Sequence, residues 1–288
     1  MIMKVKFPSH NPAWTRKPKP TDPDQHHKYY SVHIQYVLNL LRIGGARVEM
    51  VSATEFPVRS SVHFDCKING HLCRFDFSDF EKLNPDILKN YKAYFKFHYH
   101  HINHKKFKNV HPFSPVNFHD WEMYHRVNKT EKYKGRGLIL NNQVPAGAAV
   151  ERRNKVKEML VTRFGKNVDT KRYDKETFYR LVSKGLVSVC VPGARNNMLD
   201  RGQGQHMMLG MCTISPKLNT RLSWHGELVP GKHYVECKPD YSDLIDKIIW
   251  LEGNPGEAKK IGMMAERLFK ETSLPEMQVK WINKCVSR

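Results

Sequence analysis

The spacing of apolar residues changes several times along the chain, and each change marks an element. "MKVKF", residues 3 to 7, alternates charged and apolar side chains, the period of a half-buried strand. The proline-rich stretch "PSHNPAWTRKPKPTDPD" that follows cannot be helical, because proline lacks the amide a helix interior needs. Over residues 31 to 43, "SVHIQYVLNLLRI", the side chains of Ile34, Val37, Leu38 and Leu41 share one helical face. Ser31 is placed to cap the start, and Gly44 and Gly45 lie past the end.

"ARVEMVS", "SVHFDCKI" and "HLCRFDF" all read as strands, the last two joined by Asn69 and Gly70, a strong short hairpin signal. "KAYFKFHYH" is a further strand. After "YKGRG" the pattern restarts with the strand "LILNN", a helix "VERRNKVKEMLVTRF", a helix "KETFYRLVS" closed by Gly185, and the buried run "LVSVCV". Then come the strands "MCTIS" and "HYVEC", the helix "YSDLIDKIIWLEG" and a basic tail helix. Strands alternating with helices predict an α/β protein with parallel sheets. A chain of 288 residues exceeds the ~250 at which a single core usually divides, so two halves are expected, meeting near residue 135.

Composition narrows the class. Hydrophobic residues at 40% and charged residues at 26% suit a folded globular chain. No apolar run approaches the ~18 residues of a membrane helix. The start is also too weakly apolar for a signal peptide, so a cytoplasmic protein is expected. The six cysteines form no CxxC pair and read as reduced, small apolar side chains, with a Cys66–Cys73 disulfide across the hairpin as the alternative. The net charge of +20 fits a binder of nucleic acid, another polyanion or a membrane surface. Its lysines and arginines are dispersed, however, and no zinc-finger spacing, RNP motif or helix-turn-helix accompanies them. A non-catalytic basic module that binds nucleic acid or another polyanion therefore stands as the alternative to an enzyme.

The chemistry-bearing stretch is "NNMLDRGQGQHMMLGMCTIS", residues 196 to 215. With Asp200 as N-cap, Gln203 takes the third helical position of a capping box, and Arg201 and Gln205 share a face. Gly202 and Gly204 cost the helix about 1 kcal/mol each relative to alanine. In return, bare first-turn amides can approach a phosphate, Arg201 can add a bidentate charge, and Gln205 can reach a ribose. The plain structural alternative is a capped core helix that packs Met207, Met208 and Leu209 inside.

The segment from "RLVSKGLVSVCVPGARNNMLDRGQGQHMMLGMCTIS" through "LVPGKHYVECKPDYSDLIDKIIWLEGNPGEAKKIGMMAERLF" resembles the nucleotide-sugar half of GT-B glycosyltransferases of the exostosin-like and CAP10-like group. Arg201, Gln205 and Gly210 match that group's Arg, acidic and Gly positions, with Gln205 in place of the usual Glu. Upstream, "RFDFSDF" followed by "KAYFKFHY" resembles the "D-x-x-D … YFK" pattern of its acceptor half. Size, basicity and layout also resemble the small glycosyltransferases of large algal viruses, a β-xylosyltransferase among them.

The resemblance implies two Rossmann-like domains facing across a cleft. Residues 1–133 would bind the acceptor and 134–270 the nucleotide sugar, with a last helix in 271–288 returning to the first domain. It also implies inverting transfer from a UDP-sugar, best guessed as UDP-xylose, to a glycan or glycoprotein hydroxyl. A viral origin would place the protein in the host cytoplasm. Inverting transfer needs a base and positive groups for the leaving diphosphate. Asp79 and Asp76 lie beside aromatics at a strand end, where desolvation raises a carboxyl pKa. Asp79 is favoured as base because Asp76 alternates within the strand; a solvated turn pair is the alternative. Arg153, favoured over Arg152, resembles the family's phosphate-binding arginine, and Arg195 is a third donor candidate. Arginines and helix amides would serve in place of a metal. The histidines His98, His100, His101 and His104 lack a carboxylate-bearing zinc motif and read as structural or acceptor-facing. Trp14 and Arg16 are placed to bind the acceptor, the indole as a stacking surface; the alternative is that Trp14 packs its loop down.

Overall fold

The computed structural model describes residues 2–8, 25–52, 55–56, 63–78, 82–114, 124–127, 139–145, 147–193 and 195–288, without side chains at 25–33 and 201. The protein is α/β, as its alternating periods predict, and its contacts divide it into two units, each built on one sheet. Unit 1 comprises Met1–His119, Arg221–His225 and Thr272–Arg288; unit 2 comprises Asp120–Thr220 and Gly226–Glu271.

Unit 1 holds the strands β1 (Lys4–Pro8), β2 (Arg47–Val51), β3 (His63–Ile68), β4 (His71–Asp76), β5 (Ala93–Lys96) and β6 (Val110–Pro112), in the order β2-β1-β3-β4-β5-β6. All run parallel except β3, which is antiparallel to both its neighbours. The hairpin turns at Asn69 and Gly70, both at positive φ (50° and 86°), the geometry an Asn-Gly pair favours. Asn69 also accepts from the Lys4 amide at 3.0 Å, fixing β1 against the turn.

The two faces of this sheet differ sharply. On one, Phe64, Phe75 and Phe95 stand opposite one another on successive strands, with ring centroids 5.1 and 5.0 Å apart, and Phe7 and Phe113 extend the row. The other carries charge. The cross-strand row Asp65–Arg74–Tyr94 lies beside the row His63–Asp76–Lys96. Arg74 grips Asp65 with two bonds of 2.6 and 2.9 Å and lies over the Tyr91 ring, whose hydroxyl also donates to Asp65. Buried charges persist only when so paired.

The helix α1 (Gln25–Ile43) starts well before Ser31, so Ser31 lies inside it and is no cap. Its buried Val37, Leu40 and Leu41 face the core. The short helices α2 (Pro85–Leu88) and α3 (His101–His104) follow β4 and β5.

In unit 2, β7 (Ile139–Leu140), β8 (Val168–Asp169), β9 (Val187–Val189), β10 (Cys212–Pro216) and β11 (Val235–Cys237) form an all-parallel sheet ordered β8-β7-β9-β10-β11. Its helices are α4 (Val150–Phe164), α5 (Lys175–Lys184), α6 (Arg201–Met208), α7 (Leu244–Gly253) and α8 (Pro255–Ser273). Ile139, Val156, Val187, Ile214, Leu244 and Ile248 anchor one apolar core. Gly262 of α8 comes so close to the turn after α6 that a Cβ there would sit 2.0 Å from the Gly210 carbonyl oxygen, and Gly210 itself has φ 81°.

The last helix, α9 (Pro275–Val286), packs on unit 1. A Cβ on Gly44 would sit 2.5 Å from the Pro275 carbonyl oxygen, and Trp281 donates from Nε1 to the Pro112 carbonyl at 2.8 Å. All six cysteines are free, including Cys66 and Cys73, which stand opposite each other on β3 and β4. Among the described residues no helix is long and apolar enough to cross a membrane.

Candidate functional site

The strand order of unit 2 reverses between β7 and β9. In an open parallel sheet the connections leaving two such strands pass to opposite faces, so their carboxyl ends part and leave a crevice. Residues following β7 and β9 line that edge. Asn141 donates to the Val189 carbonyl at 3.1 Å, and Gln143 accepts through Oε1 from the Val191 amide, tying the two loops together. The Nε2 of Gln143 is buried with no hydrogen-bond partner.

Arg153, in the first turn of α4, donates to the Val144 carbonyl at 2.7 Å, to the Val191 carbonyl at 3.0 and 3.2 Å, and to the Asp200 carboxylate at 3.1 Å. Its guanidinium thus pins both loops and the start of α6. A phosphate could reach it only by competing with Asp200. Arg152 donates to the Gly193 carbonyl, while its Nε is buried without a partner. The start of α4 has no side-chain cap and runs on directly from a 3-10 turn, Gly147–Ala149, at the same edge.

Asp200 caps α6 as the sequence predicts, but through the Gly202 amide, at 2.9 Å. That amide is therefore already occupied. Gln203 does not close a capping box; it is fully buried and donates to Ser215 Oγ at 2.9 Å on β10. Gln205 is half-buried one turn along, and Met207, Met208 and Leu209 pack inside. Arg195 is exposed on the loop after β9. Arg201 begins α6, and its side chain lies outside the described set.

Other residues of this edge leave no local trace in the sequence. Tyr241, after β11, adopts φ 64° although it is bulky and buried, and its hydroxyl donates to Asn196 at 2.7 Å. Non-glycine residues held in this region store strain and cluster at functional sites. His206 is buried on α6 and bonded to Ser188, and burial pushes its pKa down to about 4.

In unit 1, Asp76 lies at the carboxyl end of β4, 1% exposed. It accepts from the Ser78 amide and the Tyr94 hydroxyl, both at 2.7 Å, and meets Lys96 Nζ at 3.0 Å and His63 Nε2 at 3.3 Å. Burial alone would raise its pKa, but Lys96, His63 and the Ser78 bond outweigh that and hold the carboxyl well below the usual range. Such a carboxylate is a poor proton acceptor. It serves as the counter-charge of Lys96, itself 0% exposed. Asp79, Trp14 and Arg16 lie outside the described residues.

Of the histidines after β5, His104 has a structural bond, whereas the Nδ1 atoms of His98, His100 and His101 are buried without a hydrogen-bond partner among the described residues. His104 is buried and accepts through Nδ1 from the His100 amide at 3.1 Å. No group of three or more metal-ligating side chains comes together among the described residues. Nearby, Trp224 and His225 adopt consecutive positive φ values of 60° and 56°, and His225 lies against Trp281 with ring centroids 5.2 Å apart. Burial and the positive charges of His101, Arg221, Arg288 and Lys284 lower the pKa of His225.

No protein-family model and no curated protein matches this chain. Among solved structures, the crystal structure of TarM is similar, with a TM-score of 0.47 and 13% identity over 74% of this chain and 48% of the TarM chain. The chain therefore spans about half of that protein's length.

Proposed function

We propose that the protein is a glycosyltransferase of the GT-B type, moving a sugar from a nucleotide-sugar donor to a glycan hydroxyl with inversion and without a metal. The observation that carries this reading is the unit 2 crevice. An all-parallel sheet reverses its order between β7 and β9, and the start of α4, Arg152 and the Asp200-capped α6 lie at its carboxyl edge. Backbone amides and guanidinium groups at such an edge suit a diphosphate, first as part of the donor and then as leaving group. The "DRGQGQ" stretch, with Arg201 and Gln205, supports a nucleotide sugar, and UDP-xylose is the first donor to try. Arg195 and Arg201 are assigned to the diphosphate and Gln205 to the ribose. Arg153 is assigned to holding the crevice in shape, given its contacts with Val144, Val191 and Asp200. Asp79 is assigned the role of base, with Trp14 and Arg16 on the acceptor.

A thermal-shift screen against UDP-, GDP- and ADP-sugars tests the reading. A donor at 100 times its dissociation constant should stabilise the protein by about 2.7 kcal/mol. No shift with any of them, together with no transfer to glycan acceptors, would leave the non-catalytic polyanion binder as the better account.

A further inference from the structure

The charged face of the unit 1 sheet is not uniform. Across β3, β4 and β5 its charges are buried and paired, whereas across β2 and β1 the same face is open. Here a hollow of about 560 Å³ is lined by Lys4, Lys6, Arg47, Glu49, Lys67 and the Asn69–Gly70 turn. Lys4 stands opposite Arg47, and Lys6 lies between Glu49 on β2 and Lys67 on β3. No side-chain hydrogen bond or ion pair joins Lys4, Lys6, Arg47 or Lys67 to any described residue.

Like charges directly opposite on paired strands are destabilising. Two such pairs, Lys4 with Arg47 and Lys6 with Lys67, lower stability, with Glu49 the one counter-charge among the described lining residues, and a ligand that neutralises them removes that cost. The strands set the spacing of the cations, about 4.8 Å between strands and about 7 Å along one. A thin chain with an anionic group on each unit or two can follow such a lattice. Among the described residues the lining contains no aromatic ring on which a nucleobase could stack, which disfavours single-stranded nucleic acid. The surface is a hollow, which disfavours a flat bilayer.

We propose that this hollow binds an anionic glycan, with Lys4, Lys6, Arg47 and Lys67 pairing with carboxylate, sulfate or phosphate groups on successive sugars. The hollow lies at the end of β1 where the Asn69–Gly70 turn sits, opposite the carboxyl edge of the unit 1 sheet. It is therefore an anchoring site for a long acceptor, separate from any site at that carboxyl edge. The choice of a glycan among polyanions rests on the function proposed above.

The test measures binding of the intact chain to a sulfated dextran oligosaccharide, to unsulfated dextran of equal length, to oligothymidylate of equal charge and to phosphatidylserine vesicles. Sulfated dextran should bind, and bind more tightly than the other three. Lys6→Glu and Lys67→Glu should each weaken it by about tenfold or more, the effect of losing and reversing a charge at a contact. Lys67→Glu should melt no lower than the parent, because it replaces a like-charge pair with an opposite-charge pair facing Lys6; a folded variant is thus available even if Lys6→Glu fails to fold. Unchanged affinity in Lys67→Glu, or tighter binding of oligothymidylate or vesicles than of sulfated dextran, would overturn the proposal. Binding is read without turnover and through residues other than those of the donor crevice, so nucleotide-sugar shifts and sulfated-dextran affinity fail independently.

Discussion

Asp76 and Asp79, three positions apart, are expected to play different roles. Asp76 balances a fully buried ammonium, so Asp76→Asn should cost about 3–5 kcal/mol of stability, the range for breaking one side of a buried pair. Asp79→Asn should leave folding and nucleotide affinity intact and cut transfer about 100- to 10,000-fold. Denaturant titrations and initial rates on both variants separate these outcomes, and full activity in Asp79→Asn would remove it as the base. His206 and His111 make the fold acid-sensitive for a related reason. Burial depresses both from 6.5 to about 4, with His225 and Arg288 adding to the effect at His111. The unfolded chain therefore binds more protons than the folded one between those values. Stability should be full above about pH 6.5 and fall toward pH 4, by up to about 3 kcal/mol per histidine. Urea titrations at pH 7, 5.5 and 4.5 check this, and His206→Gln should flatten the slope.

Among the elements, α8 and the turn after α6 depend on two glycines meeting. A helix interior usually gains about 1 kcal/mol when glycine becomes alanine. At Gly262 the new Cβ would instead fall 2.0 Å from a backbone oxygen that cannot swing away as a side chain would. Gly262→Ala should therefore destabilise by about 1–3 kcal/mol, the cost of overpacking, read as a lowered midpoint in urea. A gain in stability would mean that α8 can shift outward freely. The helix α6 matters differently. Its cap, Asp200, is also a partner of Arg153, so α4, the loop after β9 and the start of α6 form one connected edge.

For the whole molecule, the dispersed charge of +20 resolves into distinct local arrangements. Lys96 and Arg74 are buried and paired, Arg153 is a brace, and Lys4, Lys6, Arg47 and Lys67 line an open hollow. If arginines and the α4 amides meet the charge of a leaving diphosphate, transfer should persist in excess EDTA, because no ion is needed to bridge the phosphates. Loss of turnover restored by manganese would reject that mechanism.

The type of most elements follows from local sequence, because period and turn chemistry involve residues that are neighbours in the chain. "VERRNKVKEMLVTRF" is the whole of α4, and Asn69–Gly70 makes the expected hairpin. The same local evidence places Asp200 as a cap ahead of the methionine-rich helix. Short strands are different: β8, with only two residues, has no period to read and exists because β7 pairs with it. Pairing order, and with it the crevice between β7 and β9, is likewise settled by packing between distant segments. Arg153 resembles a phosphate-binding arginine in sequence, yet its acceptors at Val191 and Asp200 lie 38 and 47 residues away and make it a brace. The alternation in "MKVKF" places Lys4 and Lys6 on one face, but local sequence cannot say whether that face will be covered. Only the assembled sheet leaves it open, because a side chain's burial depends on what the rest of the chain brings against it.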